Sequence, residues 1–442
     1  MKKSKIAVGV NIYGTRVAVF VQGCLLLVLL PQPVLPQANV ASAPQAPQAS
    51  PPPGNEAPPS SASPATDPAS SSPRTTAPPP PNRPLELIPR SPEVREHNYR
   101  AEHHLILNVF VADASGNPVT GLKEEDFTLL DNQEPQKIAS FKAVNDSAAV
   151  TPAHVLLVLD SVNNSASTMT YVRKELEQFL GQNQGSLPYP VTLVRLTDYG
   201  IISGQPSRDG HALIGELRML PNDVHVIKRD QESPPSVATL GHRFDPTKSI
   251  SLPDPAVEDL NQRFHLSVPA AAGLAADQEN VPGRAILIWI GAGWPLLSGP
   301  KFLPDTLETK RNFFQYIAGL STALREAQVT LDAVSSPRIL RDAGLQENYY
   351  QAFLDGVLTV DQANAGNMAL PVLAYQSGGQ VLEGSNDLAA DIDKCIADAG
   401  SYYVLSFDST PAAKPDEYRP LQVKVNKPGL TVRTNTAYYA QP

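Results

Sequence analysis

Four polar residues that could do chemistry, Asp160, Ser161, Asn163 and Asn164, come directly after an apolar run at residues 154–159. A run of this length is typical of a strand buried on both faces of a parallel sheet. Ligands of such sheets bind at the carboxyl ends of the strands. Because carboxylate and amide oxygens suit divalent cations, Asp160 and Asn164 are the candidate metal ligands. The alternative is that Asp160 and Asn163 hydrogen-bond to nearby loop amides.

Further candidates would lie at the same edge of the sheet. Asp198 follows the second predicted strand, and Trp294 lies in the loop 291–295 after a second wholly apolar run. This loop contains no aspartate, and a divalent ion needs several oxygen ligands, carboxylates among them. We therefore expect no cofactor here and no magnesium. Packing in the core is the alternative for Trp294. The candidate contacts with a protein partner are Ser161, Asn163, Asp198 and Trp294.

Sequence motifs of catalysis are missing from the chain. It has no His-Glu-x-x-His, no Gly-x-Ser-x-Gly and no phosphate-binding loop. The 8 histidines are scattered. The stretch 221–270 is irregular and polar, and we assign no elements to it. The sequence therefore favours a binding or scaffold protein, not an enzyme. The alternative is an enzyme of unrecognised type with a site in this stretch.

The elements that would position these residues alternate between strands and helices over residues 149–409. Such alternation indicates a doubly wound α/β domain with a mostly parallel sheet. The predicted strands are 154–159, 191–196, 285–290, 329–334 and 402–407. The predicted helices are 172–180, one around Leu213 and Leu217, 306–327 and 388–399.

Short strands separated by turn residues flank this domain on both sides. The segment 96–148 alternates β-rich runs with turns such as Gly116-Asn117-Pro118, which is typical of an Ig-like sheet. The segment 410–442 contains two more strand patterns, 421–425 and 430–433. We expect these C-terminal strands to complete the first β sheet. The α/β domain would then be inserted into a β domain.

The N-terminus has the layout of a secretory signal peptide, which we assign to residues 1–43. Lysines precede an apolar run, and small residues follow it. The run is shorter than a spanning helix needs, so an uncleaved membrane anchor is the less favoured alternative. Lipidation of Cys24 is disfavoured because the apolar stretch continues past it. After cleavage Cys395 would be the only cysteine, which excludes an internal disulfide and favours a buried thiol.

A linker rich in proline, alanine and serine follows at residues 44–95. It holds much of the chain's 44 prolines and too few large apolar residues to offset its ordering entropy. It is either a semi-stiff tether or a tail without a role. The net charge of −9 argues against nucleic acid as a partner. We expect an exported protein of the periplasm, the cell envelope or the extracellular space, with an unknown protein or envelope ligand as its partner.

Several short motifs occur together and in order over about residues 103–440. The chain there resembles the VWFA-related family of acidobacterial type, named after the von Willebrand factor A (VWA) domain. The resemblance implies an exported protein with a VWA-like fold, but it implies little about activity. The motifs that carry it are Asp113-x-x-Gly116-x-Pro118-Val119-x-Gly121-Leu122 with Asp126-Phe127, Asp160-x-x-Asn163, Gly283-Arg284, Ser377-Gly378-Gly379, Asn386-Asp387-Leu388, Ser401-Tyr402-Tyr403 and Pro428-Gly429-Leu430.

The resemblance also implies a metal-ion-dependent adhesion site, and this chain departs from its pattern. VWA domains use Asp-x-Ser-x-Ser, a threonine from a second loop and an aspartate from a third. Here Val162 and Asn164 stand at the serine positions. Thr197 and Asp198 follow the second strand, which is the wrong loop, and nothing local supports Thr239 as the threonine. The resemblance therefore implies a degenerate adhesion site.

Overall fold

The computed structural model describes residues 103–145, 153–227, 255–296 and 306–442. The predicted signal peptide and linker, and Thr239, lie outside these residues. The strands are β1 His104–Ala112, β2 Phe127–Asp131, β3 Glu134–Gln136, β4 Ser140–Asn145, β5 His154–Asp160, β6 Ser186–Thr197, β7 Gly200–Ser203, β8 Ser207–Asp209, β9 Ala285–Ile290, β10 Val329–Val334, β11 Val381–Leu382, β12 Ser401–Asp408, β13 Glu417–Val425, β14 Thr431–Arg433 and β15 Ala437–Ala440. The α-helices are α1 Ala166–Leu180, α2 Gly210–Met219, α3 Pro255–Gln278, α4 Leu307–Glu326, α5 Pro337–Asp342, α6 Leu370–Gln376 and α7 Leu388–Ala397.

The central sheet has seven strands, six of them in the order β11-β10-β9-β5-β6-β7, with β8 also pairing with β6. The strands from β11 to β6 run parallel, and β7 and β8 pair antiparallel with β6. When these six strands are numbered 1 to 6 in chain order from β5 to β11, leaving out β8, their order from the β7 edge is 3-2-1-4-5-6. This is the order of a doubly wound sheet. The predicted fold class, a VWA-like α/β sheet with additional antiparallel strands, is confirmed.

Both faces of the central sheet are covered, which explains why its strands are continuously apolar. Leu156 and Val158 of β5 pack into a core with α3 and α4. Leu157 and Leu159 pack into a second core with α1, α2 and α7. Because successive side chains of a strand point to opposite faces, a strand between two cores must be apolar at every position. The prediction of a buried thiol is also confirmed, since Cys395 is a free cysteine in this second core.

The flanking strands form two antiparallel sheets of four strands each, ordered β14-β1-β12-β4 and β15-β13-β2-β3. Their facing side chains share one hydrophobic core, which includes Leu107, Leu129, Leu405 and Tyr438. The arrangement is a β-sandwich. Chain segments from before and after the central domain pair within both sheets, since β14 joins β1 and β13 joins β2.

One predicted strand was assigned to the wrong sheet. The sequence placed residues 402–407 in the central domain, but the structure pairs β12 with β1 and β4 of the sandwich. Tyr403, Leu405 and Phe407 of β12 point into the sandwich core. Tyr402 and Ser406 on the other face are also buried. A strand buried on both faces has the composition of a parallel central strand, so its sequence indicated the wrong partner.

A helix was missed in the stretch that the sequence left without elements. Residues 255–270 belong to α3, which runs from Pro255 to Gln278 and contains Pro269. Its buried apolar face includes Phe264, Val268 and Ala271, at helical spacing. The internal proline and buried polar residues hid this signal. Among the described residues, no helix is long and apolar enough to cross a bilayer.

A buried charged cluster joins the sandwich to the central domain. The guanidinium of Arg284, just before β9, lies 4.2 Å from the ring centre of Phe110 in β1. Its Nη1 donates to the carbonyl of Asp398 at 2.9 Å. Arg433 of β14 binds the Asp398 carboxylate at 2.6 Å. Asp332 of β10 belongs to the same cluster and is 1% exposed. Burial, reinforced by the charge of Asp398, raises the pKa of Asp332 to about 7.

The Tyr403 hydroxyl ties a turn of the sandwich to its core. It donates to the Val119 carbonyl at 2.9 Å and accepts from the Leu122 amide at 3.1 Å. We expect Tyr403→Phe to lower the free energy of unfolding by about 1–2 kcal/mol, because both backbone groups lose a partner. Denaturant unfolding measures this. Tyr402→Phe is the matched control, since the Tyr402 hydroxyl binds no described residue; an equal loss in both variants would contradict the assignment.

Candidate functional site

The candidate site lies at the carboxyl edge of the central sheet, where β5 ends at Asp160 and β9 ends at Ile290. Asn164, from the loop after β5, donates through Nδ2 to the Ile290 carbonyl at 3.1 Å. A Cβ at Gly291 would lie 2.8 Å from that nitrogen. The glycine therefore lets the two loops approach closely, and Asn164 holds them together.

Asp160 is fully buried and accepts hydrogen bonds on both carboxylate oxygens. Oδ1 accepts from the backbone amides of Val162 and Asn163, at 3.1 and 2.8 Å. Oδ2 accepts from Asn163 Nδ2 at 2.8 Å and from Trp289 Nε1 at 3.0 Å. Burial raises the pKa of Asp160, and these four donors act in the opposite direction. The bonds from the Val162 and Asn163 amides are the hydrogen bonds to loop amides that the sequence offered as the alternative to a metal-binding role for Asp160.

Ser161 is also buried, and its hydroxyl contacts a cation. Its Oγ accepts from Arg195 Nε at 2.9 Å. Arg195, in β6, is 2% exposed and pairs through Nη2 with Asp223, at 2.9 Å from Oδ1. A positive charge therefore lies directly beside the loop that would hold a metal ion.

Asn163 connects the loop to α3. Its Nδ2 donates to Ser267 Oγ at 2.8 Å as well as to Asp160. Ser267 Oγ in turn donates to the Arg263 carbonyl at 2.8 Å. These bonds fix the orientation of the amide, because a flipped amide would turn its oxygen toward the Asp160 carboxylate. The Oδ1 atom of Asn163 is buried and has no hydrogen-bond partner among the described residues.

The two remaining candidate contacts have different surroundings. Trp294 is 3% exposed, packs edge-on against Trp289 at 5.4 Å between ring centres, and donates to the Met368 carbonyl at 2.8 Å. Trp294 is therefore not the exposed contact that the sequence suggested, because its ring packs against Trp289 and its indole N–H is hydrogen-bonded in the interior. Asp198 is exposed, follows β6 in a hairpin, and lies 2.6 Å from His225 Nδ1.

The donor set around Asp160 does not suit a magnesium ion. Both Asp160 oxygens already accept protein donors, and Arg195 occupies the Ser161 hydroxyl. The loop 291–295 has no side-chain oxygen to offer. Within the described ranges, no group of three or more His, Cys, Asp or Glu residues is placed to hold a metal ion. A hard cation would have to displace several of these bonds and approach the Arg195 charge.

A cavity of about 690 Å³ opens beside this network. It lies between the start of α1, one face of α3, the loop 293–296 and the segment 339–345. Its walls are mostly apolar, with a few convergent polar groups, which is the usual composition of a ligand site. The apolar walls include Leu260, Trp294, Leu296, Ile339 and Leu345. The polar lining consists of Asn163, Asn164, Ser165, Thr168, Arg263, Arg341 and Asp342.

Asp342, at the end of α5, is a feature of this cavity that the sequence did not indicate. Its Oδ2 lies 2.7 Å from the Thr168 hydroxyl, 3.1 Å from that of Ser165 and 3.5 Å from that of Ser167. The hydrogen bond from Thr168 is the main reason that the pKa of Asp342 is lowered. Asp342 is therefore a fixed negative charge at the rim. Because the hydroxyls that it binds lie at the start of α1, far away in the sequence, no local motif could have indicated this pairing.

A second polar chain lies behind the cavity wall. The ring of His225 bridges two carboxylates, with Nδ1 at 2.6 Å from Asp198 Oδ1 and Nε2 at 2.9 Å from Asp259 Oδ1. Asp259 also pairs with Arg263 Nε at 2.9 Å. The His225 amide donates to the Ser161 carbonyl at 2.9 Å. Both ring nitrogens are engaged, and of these five residues only Arg263 lines the cavity.

Comparison with solved structures finds distant likenesses. An aerotolerance-related membrane protein from Bacteroides fragilis matches 55% of this chain and 98% of its own, at 9% identity and a TM-score of 0.27. The Rpn10 VWA domain matches 55% of this chain and 94% of its own, at 12% identity and a TM-score of 0.25. The SpaC pilus adhesin from Lactobacillus rhamnosus GG matches 74% of this chain and 48% of its own, at 10% identity and a TM-score of 0.31. No family model and no curated protein sequence matches the chain. The strand order described above, and not these likenesses, carries the assignment of a doubly wound α/β fold.

Proposed function

We propose that this chain is an exported binding or scaffold protein of the cell envelope that holds a protein partner at the carboxyl edge of its central sheet. The observation that carries the proposal is the cavity of about 690 Å³ at this edge, with apolar walls and few polar groups. The loops that would form an adhesion site here are closed on themselves by hydrogen bonds. Binding would therefore use the cavity itself and no metal ion.

The geometry supports binding over the alternative of an exported enzyme in the stretch 221–270. His225 is the described histidine of that stretch that faces carboxylates, and both of its ring nitrogens are occupied. A general base needs a free nitrogen within reach of the proton that it removes. Since His225 does not line the cavity, a ligand there would contact packing groups, the Arg263 guanidinium and the hydroxyls near Asp342.

The proposal predicts cross-linking from one face of the molecule. A photo-reactive benzoylphenylalanine at Ala343, an exposed residue that lines the cavity, should trap a partner in the envelope of the native host. The same residue at Ala143, which is exposed on the sandwich, should trap none. Because the cavity needs no metal, EDTA should leave the cross-link unchanged. Gel electrophoresis and mass spectrometry would identify the product; equal cross-linking from both positions would refute the assigned face.

A further inference from the structure

The junction between the sandwich and the central domain buries a cation that contacts no carboxylate of the described chain. Arg284, just before β9 of the central domain, is 2% exposed, and its Nη1 donates to the backbone carbonyl of Asp398. Its Nε and Nη2 are buried and donate to no described residue. The guanidinium lies over two aromatic rings of the sandwich, 4.2 Å from the ring centre of Phe110 and 5.2 Å from that of Tyr402. Arg284 therefore contacts the other domain by cation–π interactions, which gain strength in a desolvated site.

A carboxyl group of the central domain lies near enough for its charge to act on Arg284. Asp332 and Arg284 each shift the pKa of the other through their charges. Asp332 faces α7, where the Cys395 thiol forms a hydrogen bond with it, and its Oδ1 accepts from the Gln380 amide at 2.7 Å. Gln380 also donates through Nε2 to Asp398 Oδ2 at 2.9 Å. One glutamine therefore links the two carboxyl groups of the cluster.

The four charged side chains of this cluster do not balance while Asp332 holds a proton. Arg433 pairs with Asp398 at 2.6 Å, and Arg284 is then the cation in excess. Burial raises the pKa of Asp332 to about 7, and burial lowers the pKa of Arg284 to about 10. Between these values the two side chains carry opposite charges in a site of low dielectric, where their attraction is strong.

The other titratable groups that face Asp332 keep their protonation state near neutral pH. Burial raises the pKa of the Cys395 thiol well above its usual range, and burial also raises that of the Tyr402 hydroxyl. The buried carboxylate of Asp391 in α7 pairs with Lys394 at 2.7 Å. Asp332 is therefore the group of the cluster that changes its charge near pH 7.

We propose that Arg284 is a latch between the two domains that the proton on Asp332 operates. With Asp332 protonated, the guanidinium lies on Phe110 and Tyr402 of the sandwich, as in this structure. When Asp332 releases its proton to the solvent, the guanidinium turns to the carboxylate and donates to it through Nε and Nη2. This ion pair lies within the central domain, so the sandwich loses one of its contacts. The latch does not depend on the binding function proposed above.

The position of Arg284 can be followed in the whole chain by NMR with ¹³C-labelled arginine. Ring currents shift the δ-methylene protons of an arginine that is stacked on an aromatic ring, and Arg284→Lys identifies the signal. From pH 5 to pH 8 the Arg284 signal should lose this shift, with a midpoint near the pKa of Asp332 at about 7. Arg338 is the matched control, because it lies 5.2 Å from the ring centre of Tyr171, outside the junction. Its signal should stay in place.

Asp332→Asn should keep Arg284 on the rings at every pH, because the amide copies the protonated acid. Hydrogen exchange reports the junction itself at the amides that join β1 to β14, residues 110–112 and 431–433. After correction for the intrinsic effect of pH, exchange there should be about tenfold faster at pH 8 than at pH 5 in the parent chain, as expected for one lost cation–π contact. Asp332→Asn should abolish this difference.

Three results would overturn the latch. The first is an Arg284 signal that stays in place from pH 5 to pH 8 in the parent chain. The second is a signal that moves equally in Asp332→Asn. The third is equal acceleration of exchange in β1 and in β5 of the central sheet, because ionisation of Asp332 would then lower only the global stability.

Discussion

Asp160→Ala should lower the free energy of unfolding by about 3–5 kcal/mol, and by the same amount with and without millimolar magnesium. The variant removes the acceptor of four hydrogen bonds inside a site that water does not reach. The Val162 and Asn163 amides and the Trp289 indole would be left without partners. Each buried unsatisfied donor costs about 1–3 kcal/mol, and relaxation of the loop recovers part of the total.

Asp113 offers the matched control for this variant. It accepts from the Ser115 and Asn117 amides at 2.8 and 2.9 Å and from Asn117 Nδ2 at 3.2 Å, but in an exposed turn. Water can replace it there, so Asp113→Ala should lower the free energy of unfolding much less than Asp160→Ala does. Because the two carboxylates accept from similar numbers of donors, the difference between the two losses in free energy of unfolding measures the effect of burying these hydrogen bonds.

Magnesium is the second arm of this experiment. A ligand raises the melting temperature only when its concentration exceeds its dissociation constant, so a site that does not bind magnesium should show no shift. Calorimetric melting of the parent chain and of Asp160→Ala, each with magnesium and with EDTA, gives the comparison. A magnesium-dependent rise that disappears in Asp160→Ala would restore a working adhesion site and contradict the proposed metal-free cavity.

Much of the fold could be predicted because its signals are local. The apolar runs of β5, β9 and β10 and the amphipathic faces of α1 and α4 each carry their own pattern. β12 was placed in the wrong sheet because burial on both faces looks alike in a sandwich strand covered by another domain and in a central parallel strand. Composition records burial, but it does not record the partner.

The candidate site was predictable only in its first loop. Asp160 and Asn163 were found because they end an apolar strand, a position that has meaning in doubly wound sheets. Their partners come from elsewhere: Trp289 from β9 and Ser267 from the missed helix α3. Asp342 of α5 joins the site through the Thr168 hydroxyl. Such convergence is a property of the tertiary structure, and no spacing in the sequence encodes it.

Asp332→Asn should raise the free energy of unfolding at pH 8 by about 2 kcal/mol and leave it nearly unchanged at pH 4. Asp332 lies in the cluster that joins the sandwich to the central domain, and burial raises its pKa from 3.8 to about 7. Its Oδ1 accepts from the Gln380 amide at 2.7 Å, and an asparagine oxygen can accept the same bond. The amide therefore copies the protonated acid and removes only the charge.

The direction follows from proton binding in the two states. Between about pH 4 and pH 7 the folded chain holds a proton on Asp332 that the unfolded chain has released, so stability falls as the pH rises. The contribution is fully present below the unfolded pKa and is lost as the pH passes the folded pKa. The full shift corresponds to about 4 kcal/mol, and we expect about half because a buried site admits water when a charge forms.

Calorimetric melting of the parent chain and the variant from pH 4 to pH 8, at constant ionic strength, measures the effect. Asp131, Asp160 and Glu383 are also buried carboxyls with raised pKa values, so the parent chain alone would mix several titrations. The difference between parent and variant isolates Asp332, and it should grow from near zero at pH 4 to its full value above pH 7. A flat difference for Asp332→Asn, or a loss of stability at pH 8, would mean that Asp332 is ionised in the folded chain and pairs with Arg284 or Arg433 across the domain junction.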